Sequence, residues 1–294
     1  MSEGLSETAV LFQGVTMDFR TVFAESEYVQ NAVQHLQNVW RERGICGIDI
    51  AQVCSKQNYL DEEKTWYEQP AIFTVSLAKL WELEKTCRAE LFLGHSFGEY
   101  AASCASGAIT PEDGLRITQF RGQLAYEVNL AHPGLMAAIS GKLHMPSIYK
   151  ICATYGVDIA NINSPEQIVI SGEFSPVEKA CEEIEREGLK VSYLKTGCPF
   201  HSRYFAPKQK VFRQFLDTIQ FRRPRRKLLM NATARLESDP ERIKDCLVAQ
   251  LTNPVNFPRV VQSMQALGAD PEKTMEIGGR NILKGFVKRI LRRP

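Results

Sequence analysis

Apolar positions recur along the chain in two patterns, one typical of helices and one of short strands. Residues 26–43 repeat an apolar side chain every three or four positions, which predicts an amphipathic helix. Residues 70–84 are more evenly apolar and predict a buried helix with its proline in the first turn. Residues 91–94 predict a strand, and the small residues after it predict a helix that ends near Gly107. Thr110 then opens another helix, because this capping threonine is followed by proline and two acidic residues.

A different pattern follows at residues 132–197. Four short strands and two helices are predicted there, in the order strand–helix–strand–strand–helix–strand, at residues 134–141, 145–156, 157–162, 167–172, 175–188 and 189–196. This order is typical of ferredoxin-like domains. The second helix carries a capping-box pattern, with Ser175 as the cap, a proline at the first position and Glu178 reaching back.

Helices and strands alternate again in the last third of the chain. Strands are predicted at residues 225–234 and 274–279, and helices at residues 240–251 and 281–291. We therefore predict an α/β fold in which a large α/β-hydrolase-like domain with a parallel sheet carries an inserted small domain. The large domain would comprise residues 1–131 and 198–294, and the ferredoxin-like domain residues 132–197.

The composition excludes several classes of partner. The 294 residues carry 36 basic and 34 acidic side chains, a net charge of +2, which indicates no particular polyanionic partner. No apolar run approaches the roughly 20 residues of a membrane span, and the N-terminus lacks the pattern of a signal peptide. The eight cysteines are scattered without metal-ligand spacing, so we predict a reducing, cytoplasmic setting. We expect a monomer that binds no metal, nucleic acid or membrane.

Two basic segments, residues 222–227 and 288–293, stand out from this balanced charge. The simpler interpretation of such a run is a solvated surface, which we favour. The alternative is a docking patch for an acidic protein or a phosphorylated cofactor.

The strongest candidate for chemistry is the pentad Gly94-His95-Ser96-Phe97-Gly98. It matches the G-x-S-x-G pattern of a nucleophile elbow and lies between a predicted strand and a predicted helix. A serine on such a tight turn projects its hydroxyl outward, and the glycines are needed because strand and helix approach closely there. The free N–H groups at the start of the following helix can stabilise an oxyanion. We therefore predict that Ser96 is a nucleophile.

A serine nucleophile requires a base, and the chain has five histidines. His35 lies within the predicted amphipathic helix, while His132 and His144 lie at the edges of the predicted small domain. His95 is adjacent to the serine, and adjacent side chains diverge. Position therefore favours His201, where the chain re-enters the large domain; a core or surface histidine is the alternative that these residues leave open.

Seven separate segments resemble one enzyme family in their order and spacing. They are GHSFGEYAA, ITQFRGQL, GLMAAISG, NINSPEQIVISGE, PFHSRYF, AQLTNPVNF and MEIGGRNILKGFVKRI. Over about residues 60–292 the sequence resembles malonyl-CoA:acyl-carrier-protein transacylases, including the acyltransferase domains of polyketide synthases. The segment PFHSRYF is similar to free-standing acyltransferases that serve polyketide synthases lacking their own.

The resemblance implies a role for each residue that matches the family pattern. Ser96 would take an acyl group from coenzyme A as an ester, and His201 would be its general base. The backbone carbonyl of Gln250 would orient that histidine in place of an aspartate. Arg121 would pair with the free carboxylate of a malonyl group, which suits a fork-shaped guanidinium. Without the resemblance, Arg121 would be interpreted as part of a surface ion pair on a helix.

Four further positions bear on the acyl group and the oxyanion. Phe97 and Phe200 resemble the bulky residues of malonyl-selecting members, and Phe200 would fill the space that an α-methyl group needs. Ala125 stands where the family usually has methionine, and it would widen the acyl pocket. Gln13 resembles the N-terminal glutamine that supplies an oxyanion-hole N–H in the family, although the Pro-Gly before that glutamine is missing here.

These features together predict an acyltransferase of polyketide or fatty acid biosynthesis. It would move a malonyl group from coenzyme A, through an acyl-Ser96, to the phosphopantetheine thiol of an acyl carrier protein. Malonyl-CoA would be the substrate, with no tightly bound cofactor. If the basic segment 222–227 acts at all, we expect it to affect affinity for the carrier protein and not acylation by coenzyme A esters.

Three alternatives share part of this pattern. An acyl hydrolase of the same fold would clear stalled acyl groups from carrier proteins, but an uncharged acyl chain offers no carboxylate to pair with Arg121. A non-catalytic module that binds carrier proteins would explain the altered segment around Gln13, but not the intact serine, histidine and arginine. An unrelated lipase or esterase would share the pentad but not the other six segments.

Overall fold

The computed structural model describes residues 8–55 and 64–292. Its strands are β1 (Ala9–Phe12), β2 (Leu91–Gly94), β3 (Gly134–Ser140), β4 (Asp158–Ser164), β5 (Gln167–Glu173), β6 (Lys190–Leu194), β7 (Lys227–Met230), β8 (Arg235–Leu236), β9 (Val255–Asn256) and β10 (Met275–Ile277). Its helices are α1 (Phe19–Ala24), α2 (Glu27–Glu42), α3 (Ile50–Ser55), α4 (Lys64–Leu83), α5 (Gly98–Ser106), α6 (Pro111–Ala131), α7 (Met145–Tyr155), α8 (Phe174–Arg186), α9 (Ala206–Asp217), α10 (Pro240–Ala249), α11 (Phe257–Ala266) and α12 (Ile282–Leu291). The protein is therefore an α/β protein.

The first sheet has the strand order β10–β1–β2–β7–β8. The first four strands are parallel, and β8 forms a short antiparallel edge. Every residue of β1 and β2 is buried, because apolar side chains cover both faces, as is typical of parallel sheets. Val10 and Phe12 face one core, and Leu11 faces a second core formed with α11 and α12. Because Phe12 pairs with Gly94, the loops that follow β1 and β2 begin side by side.

The second sheet is mixed and has the strand order β6–β3–β5–β4–β9. Residues 134–194 contain the predicted order of strands and helices, and the neighbouring strands among β3 to β6 are antiparallel. Helices α7 and α8 cover one face through a core that includes Ile139 and Ile170. The opposite face, with Ala138 and Val169, joins the main core. Strand β9 comes from the last part of the chain and pairs in parallel with β4, which the sequence did not predict.

Pro70 lies inside a helix and not at its start. Helix α4 begins at Lys64, so the prediction of a first-turn proline is wrong. Proline has no N–H to donate within a helix, and the carbonyl of Trp66 therefore lacks its usual helical donor. Gly122 of α6 packs against this point, where a Cβ would lie 2.9 Å from the Trp66 carbonyl oxygen. The missing side chain lets α6 pack closely against α4 at the level of the proline.

The N-caps of the helices can be compared with the caps predicted from the sequence. Ser26 and Thr110 cap α2 and α6 by accepting hydrogen bonds from backbone N–H groups of the first turn, and the cap at Thr110 was predicted. The capping box at Ser175 is wrong, because α8 begins at Phe174 with Glu173 as its N-cap. Glu173 is also the last residue of β5. The chain thus passes from strand to helix without a loop, which leaves no position for a cap at Ser175.

The cysteines pack as small apolar side chains. All eight lie within the described residues and are free thiols. Burial raises the pKa of the Cys54 thiol to about 12, so this thiol is protonated and unreactive at neutral pH. Residues 8–55 and 64–292 contain no cluster of His, Cys, Asp or Glu able to hold a metal ion. No helix in the same residues is long and apolar enough to cross a membrane.

Candidate active site

Ser96 lies on a tight turn between β2 and α5, at the carboxyl end of the parallel sheet. Its φ of 52° is in the left-handed region, which is uncommon for residues other than glycine and marks strain. A Cβ at Gly94 would lie 2.0 Å from the carbonyl carbon of Gly98, and a Cβ at Gly98 would lie 2.3 Å from the carbonyl oxygen of Phe12. The geometry therefore agrees with the predicted reason for the two glycines, which is close approach of strand and helix.

The hydroxyl of Ser96 contacts His201. The distance from Ser96 Oγ to His201 Nε2 is 2.6 Å. On the other side of the ring, Nδ1 lies 2.8 Å from the carbonyl oxygen of Gln250 and 3.2 Å from that of Asn253. A carbonyl oxygen can only accept, so Nδ1 carries the hydrogen. In the neutral ring Nε2 is then the acceptor, and the serine hydroxyl donates to it.

The environment of His201 keeps its imidazole neutral. The side chain is 3% exposed. Burial, together with the nearby positive charge of Arg121, lowers the pKa of His201 to about 3. A neutral imidazole at physiological pH is the form that can accept the serine proton. The pair therefore has the geometry and the protonation state of a nucleophile with its base.

Two backbone N–H groups lie beside Ser96. The Phe97 N–H stands at the start of α5 and makes no hydrogen bond within the described part of the chain. Gly14, in the loop after β1, lies directly opposite, because a Cβ at Gly14 would be 3.4 Å from Ser96 Cβ and 3.6 Å from Phe97 N. The Gly14 N–H also has no acceptor among the described residues. Both groups are thus candidates to stabilise an oxyanion.

Gln13 is arranged differently from the role predicted for it. Its backbone N–H donates to the carbonyl of Ile277 at 3.1 Å, extending the ladder between β1 and β10. Its side-chain amide donates to Glu276 and to the carbonyl of Arg280, and it packs where Gly278 leaves room. An oxyanion would have to displace the Ile277 carbonyl to reach the Gln13 N–H. In this geometry Gln13 holds the 276–280 loop and offers no free donor.

Arg121 is fully buried on α6 and is not part of a surface ion pair. Its Nη1 donates to Oε1 of Gln69 at 2.7 Å, while Arg121 Nε and Gln69 Nε2 lack acceptors among the described residues. The guanidinium carbon lies 5.3 Å from the ring centre of Phe97 and 5.2 Å from that of Phe200. These two phenylalanines adjoin Ser96 and His201 in sequence. An unpaired buried cation with unused donors is costly unless an anion can reach it.

A cleft of about 610 Å³ opens onto the serine and histidine. One wall is the inner face of the second sheet, with Met136, Ala138 and Val169, and another includes Phe286. Two basic side chains, Lys190 and Arg289, also line it. The volume lies within the range of small-molecule sites. Ser96, His201, Phe200 and Gln13 all line this cleft, whereas Arg121 and Phe97 are not among its lining residues.

The remaining histidines do not contact Ser96. His95 is partly buried and lies 2.8 Å from Asn163 Oδ1 through its Nε2, and desolvation lowers its pKa to about 4. His132 contacts Glu173, and His144 contacts Ser147 in the first turn of α7. His35 is exposed on α2. Of the five histidines, His201 is therefore the one that the fold brings to the serine.

Ala125 does not open a visible pocket. Its side chain is fully buried on α6, and the thiol of Cys198 contacts its backbone carbonyl at 3.5 Å. Ala125 is not among the residues that line the cleft. Its effect on acyl-group size therefore stays a prediction.

The basic segment 222–227 lies away from the site. Lys227 pairs with Leu91 at the amino end of β2, whereas Ser96 follows the carboxyl end. Arg226 donates to Glu84 and to the carbonyl of Ala105, so its charge stabilises the end of α5. The segment therefore has structural contacts and does not face the cleft.

Sequence reasoning missed Gln69, Gly14 and Glu99, which contact the predicted residues. Gln69 directly follows Glu68 in the polar first part of α4, so its polarity alone did not set it apart. Gly14 and Glu99 stand beside recognised motifs, but nothing local distinguishes their roles.

A strained serine whose histidine is held by a backbone carbonyl defines a site for acyl transfer through a covalent serine ester. The sequence matches the family model described as "Acyl transferase domain" over residues 17–290. The chain therefore belongs to the acyl transferase domain family. The predicted family resemblance is confirmed.

Individual relatives are similar over most of the chain. The malonyl CoA-acyl carrier protein transacylase of Escherichia coli (strain K12) is 35% identical over 252 residues, which cover 83% of this chain and 81% of that protein. The polyketide biosynthesis protein PksE of Bacillus subtilis (strain 168) is 35% identical over 255 residues, which cover 84% of this chain but only 32% of PksE. The structure of PlMCAT:AntF, a type II PKS acyl-carrier protein in complex with its malonyl-transacylase, aligns with a TM-score of 0.84 at 28% identity, covering 98% of this chain and 94% of that one.

Proposed function

We propose that this chain transfers a malonyl group from coenzyme A to the phosphopantetheine thiol of an acyl carrier protein. The observation that carries the proposal is the 2.6 Å contact between Ser96 Oγ and His201 Nε2. The buried guanidinium of Arg121 lies nearby, against the ring of Phe97. The malonyl transacylases among the relatives support this choice of donor and acceptor. Polyketide or fatty acid biosynthesis is the setting that these relatives suggest.

The first half-reaction acylates the serine. Ser96 gives its proton to His201 Nε2, and Oγ attacks the thioester carbonyl of malonyl-CoA. The resulting oxyanion accepts hydrogen bonds from the N–H groups of Phe97 and Gly14. When the tetrahedral intermediate collapses, the C–S bond breaks and the coenzyme A thiolate takes the proton back from His201. The product is a malonyl ester of Ser96.

The second half-reaction reverses these steps with a different thiol. The phosphopantetheine thiol of the carrier protein gives its proton to His201 and attacks the ester carbonyl of acyl-Ser96. The same N–H groups hold the second oxyanion. The C–O bond then breaks, and His201 returns the proton to Ser96 Oγ.

The malonyl carboxylate fits the unused donors of Arg121 and Gln69. Pairing with a carboxylate would neutralise the guanidinium whose charge lowers the pKa of His201. A bound carboxylate should therefore raise the basicity of His201. A dicarboxylic acyl group would in this way strengthen the base that its own transfer requires, whereas an acetyl group would not.

We also propose a division of the fold that matches this chemistry. Residues 1–131 and 198–294 would form the α/β-hydrolase-like body that carries Ser96, and residues 132–197 would form a ferredoxin-like domain. The run of β3, α7, β4, β5, α8 and β6, with both helices on one sheet face, supports the second assignment. The cleft between the two sheets would then receive the pantetheine arm of either thioester.

Intact protein mass tests the proposal directly. The purified protein is mixed with malonyl-CoA or acetyl-CoA, and its mass is measured before and after an acyl carrier protein is added. We expect one malonyl group on Ser96 that moves to the carrier protein, and little acetylation. Ser96→Ala should abolish both steps; transfer that persists in this variant would disprove the scheme.

An acyl hydrolase is the competing function. It would use the same serine and histidine but pass the acyl group to water. The buried unpaired charge of Arg121 disfavours it, because an uncharged acyl chain offers no partner. Rapid loss of the label to water without carrier protein would favour the hydrolase.

A further inference from the structure

Glu99 is a fully buried carboxylate in the first turn of α5, three residues after Ser96. Its Oε1 accepts a hydrogen bond from the backbone N–H of Asn231 at 2.5 Å, and its Oε2 accepts one from the side-chain amide of Gln250. No Lys, Arg or His of residues 8–55 and 64–292 forms an ion pair with it. The acyl-transfer steps described above give this carboxylate no part.

The two partners of Glu99 also hold the turn that carries the serine. The side-chain amide of Asn231 donates to the carbonyl of Gly94 at 2.6 Å. The side-chain amide of Gln250 donates to the carbonyl of Ser96 at 2.9 Å. Glu99 thus connects both ends of the Gly94–Ser96 turn, through the backbone N–H and side chain of Asn231 at one end and the side-chain amide of Gln250 at the other. We call Glu99, Asn231 and Gln250 the amide bracket.

Gln250 links this bracket to the base. Its side-chain amide contacts Glu99 and Ser96, while its own backbone carbonyl accepts the Nδ1–H of His201 at 2.8 Å. One residue therefore fixes the nucleophile's backbone and the orientation of the imidazole. If the backbone of Gln250 moved, its carbonyl would shift the ring of His201 relative to Ser96 Oγ.

We propose that Glu99 is a positioning residue that, as a carboxylate, holds Gln250 so that Ser96 and His201 keep their contact. The inference rests on the proposed acyl transfer through Ser96. The hydrogen bonds explain why the ionised form is needed. Nε2 of Gln250 has two hydrogens and faces two acceptors, the Ser96 carbonyl and the Glu99 carboxylate. Both oxygens of Glu99 accept hydrogen bonds, one from Gln250 and one from the Asn231 N–H. A protonated acid or an amide at position 99 would place a donor opposite one of these two donors, and that hydrogen bond would be lost.

The surroundings make Glu99 sensitive to pH near neutrality. Burial raises the pKa of Glu99 to about 7, against the opposing effect of the hydrogen bonds from Asn231 and Gln250. Among its titratable neighbours, Tyr100 on α5 and Cys246 on α10 stay neutral there, because burial raises the pKa of each to about 12. Beyond them, His201 and His95 are neutral because burial lowers the pKa of both, and Arg121 of α6 stays charged.

The test is the rate at which malonyl-CoA acylates Ser96 in a single turnover, measured by rapid quench and intact mass from pH 5.5 to 8.5. We expect the wild-type rate to rise with pH about a midpoint near 7. Glu99→Gln keeps the shape of the side chain but not its charge. It should be slower at pH 8 by about tenfold or more, as expected for a lost hydrogen bond to a charged group. Its rate should also be nearly independent of pH.

Two further variants separate positioning from folding. Glu42→Gln changes an exposed carboxylate at the end of α2 and should retain the wild-type rate and profile. Gln250→Met removes the side-chain amide but leaves the backbone carbonyl, and it should reproduce the slow, flat profile of Glu99→Gln. Thermal unfolding of each variant shows whether it is folded, because a purely structural role would lower stability without flattening the pH profile.

The possible outcomes distinguish this inference from the proposed function. If wild-type Ser96 is never acylated, the proposed function itself fails. If wild-type Ser96 is acylated but its rate is flat across this pH range, the role of an ionised Glu99 fails even without any variant. A folded Glu99→Gln protein with the wild-type rate and pH dependence would equally overturn the inference.

Discussion

Replacing Arg121 with alanine should separate malonyl from acetyl transfer. The guanidinium is buried, its Nε has no acceptor in the described residues, and its hydrogen-bonding neighbour Gln69 has an unused N–H group. In the proposed complex these donors face the malonyl carboxylate. Removing one partner of a buried hydrogen-bonded charge pair costs about 2–5 kcal/mol. Since about 1.4 kcal/mol is a factor of ten, kcat/KM for malonyl-CoA should fall by about 30-fold to 4,000-fold.

Arg121→Ala should leave kcat/KM for acetyl-CoA almost unchanged. Acetyl has no carboxylate, and loss of the positive charge removes one cause of the low pKa of His201. Arg121→Lys keeps the charge but not the fork, so its malonyl rate should fall between those of the wild type and the alanine variant. Gln69→Ala removes hydrogen bonds to charged groups but no charge, and its effect should be smaller, about 1.5–3 kcal/mol.

The assay is acylation of Ser96 by each thioester, followed by intact mass over a range of concentrations. Arg116→Ala provides the matched control, because Arg116 lies on the same helix but is 44% exposed and pairs with Asp113. It should change neither rate. If Arg121→Ala slowed malonyl and acetyl transfer equally, the residue would act through folding alone, and the carboxylate argument would be refuted.

Three other predictions follow from the same geometry. His201→Ala should slow acylation of Ser96 by roughly 100-fold or more, the usual range for general-base catalysis, in a protein that still folds; retention of the wild-type rate would show that another base acts. Charge reversal at Arg222 and Arg223 should leave carrier-protein kinetics unchanged, since the segment lies at the opposite end of the sheet from Ser96; a raised KM for the carrier protein would revive the docking idea. Ionised Glu99 should destabilise the fold, because a folded pKa of about 7 exceeds the ordinary 4.5. The stability contributed by protonated Glu99 is fully present below pH 4.5 and is lost as pH rises through 7, a difference of about 3 kcal/mol. Urea unfolding of wild type and Glu99→Gln at pH 5 and pH 8 measures this, and equal losses in the two proteins would contradict it.

Short-range signals in the sequence predicted much of the fold. The pentad around Ser96 and the cap at Thr110 depend on residues within four positions of one another, and the structure contains both features. The two wrong predictions fail for the opposite reason. Pro70 lies inside α4, at the level where Gly122 of α6 packs closely although it is far away in sequence. Ser175 cannot cap α8 because β5 continues into the helix without a loop. Both outcomes depend on tertiary structure that no local pattern records.

The site was predictable from the serine pentad, the position of one histidine and the family pattern. Ser96 was predicted from the pentad and His201 was favoured by its position, whereas Arg121 and the Gln250 carbonyl were assigned from the family pattern alone. The fold brings the first two into contact and the others beside them. Gln13 fits its predicted role poorly because its N–H pairs with the carbonyl of Ile277, and that pairing depends on how β1 meets β10. The register between β1 and β2 places Gly14 opposite the Ser96 turn. A sequence without coordinates cannot decide between two neighbouring N–H groups, because one residue along a strand reverses the direction of each group.

Backbone strain at this site explains why so many hydrogen bonds converge on it. In the described part of the chain, the residues other than glycine with a left-handed φ are Ser96, His201 and Ala234. Two of these three, Ser96 and His201, contact each other through their side chains, and each such residue costs on the order of 1–2 kcal/mol. Strain of this kind persists only where the surroundings hold it. Gln250 contacts both strained residues, through its amide at Ser96 and its carbonyl at His201, and Glu99 fixes Gln250 in turn. The carboxylate that weakens the fold above neutral pH is therefore the group best placed to keep the strained pair together.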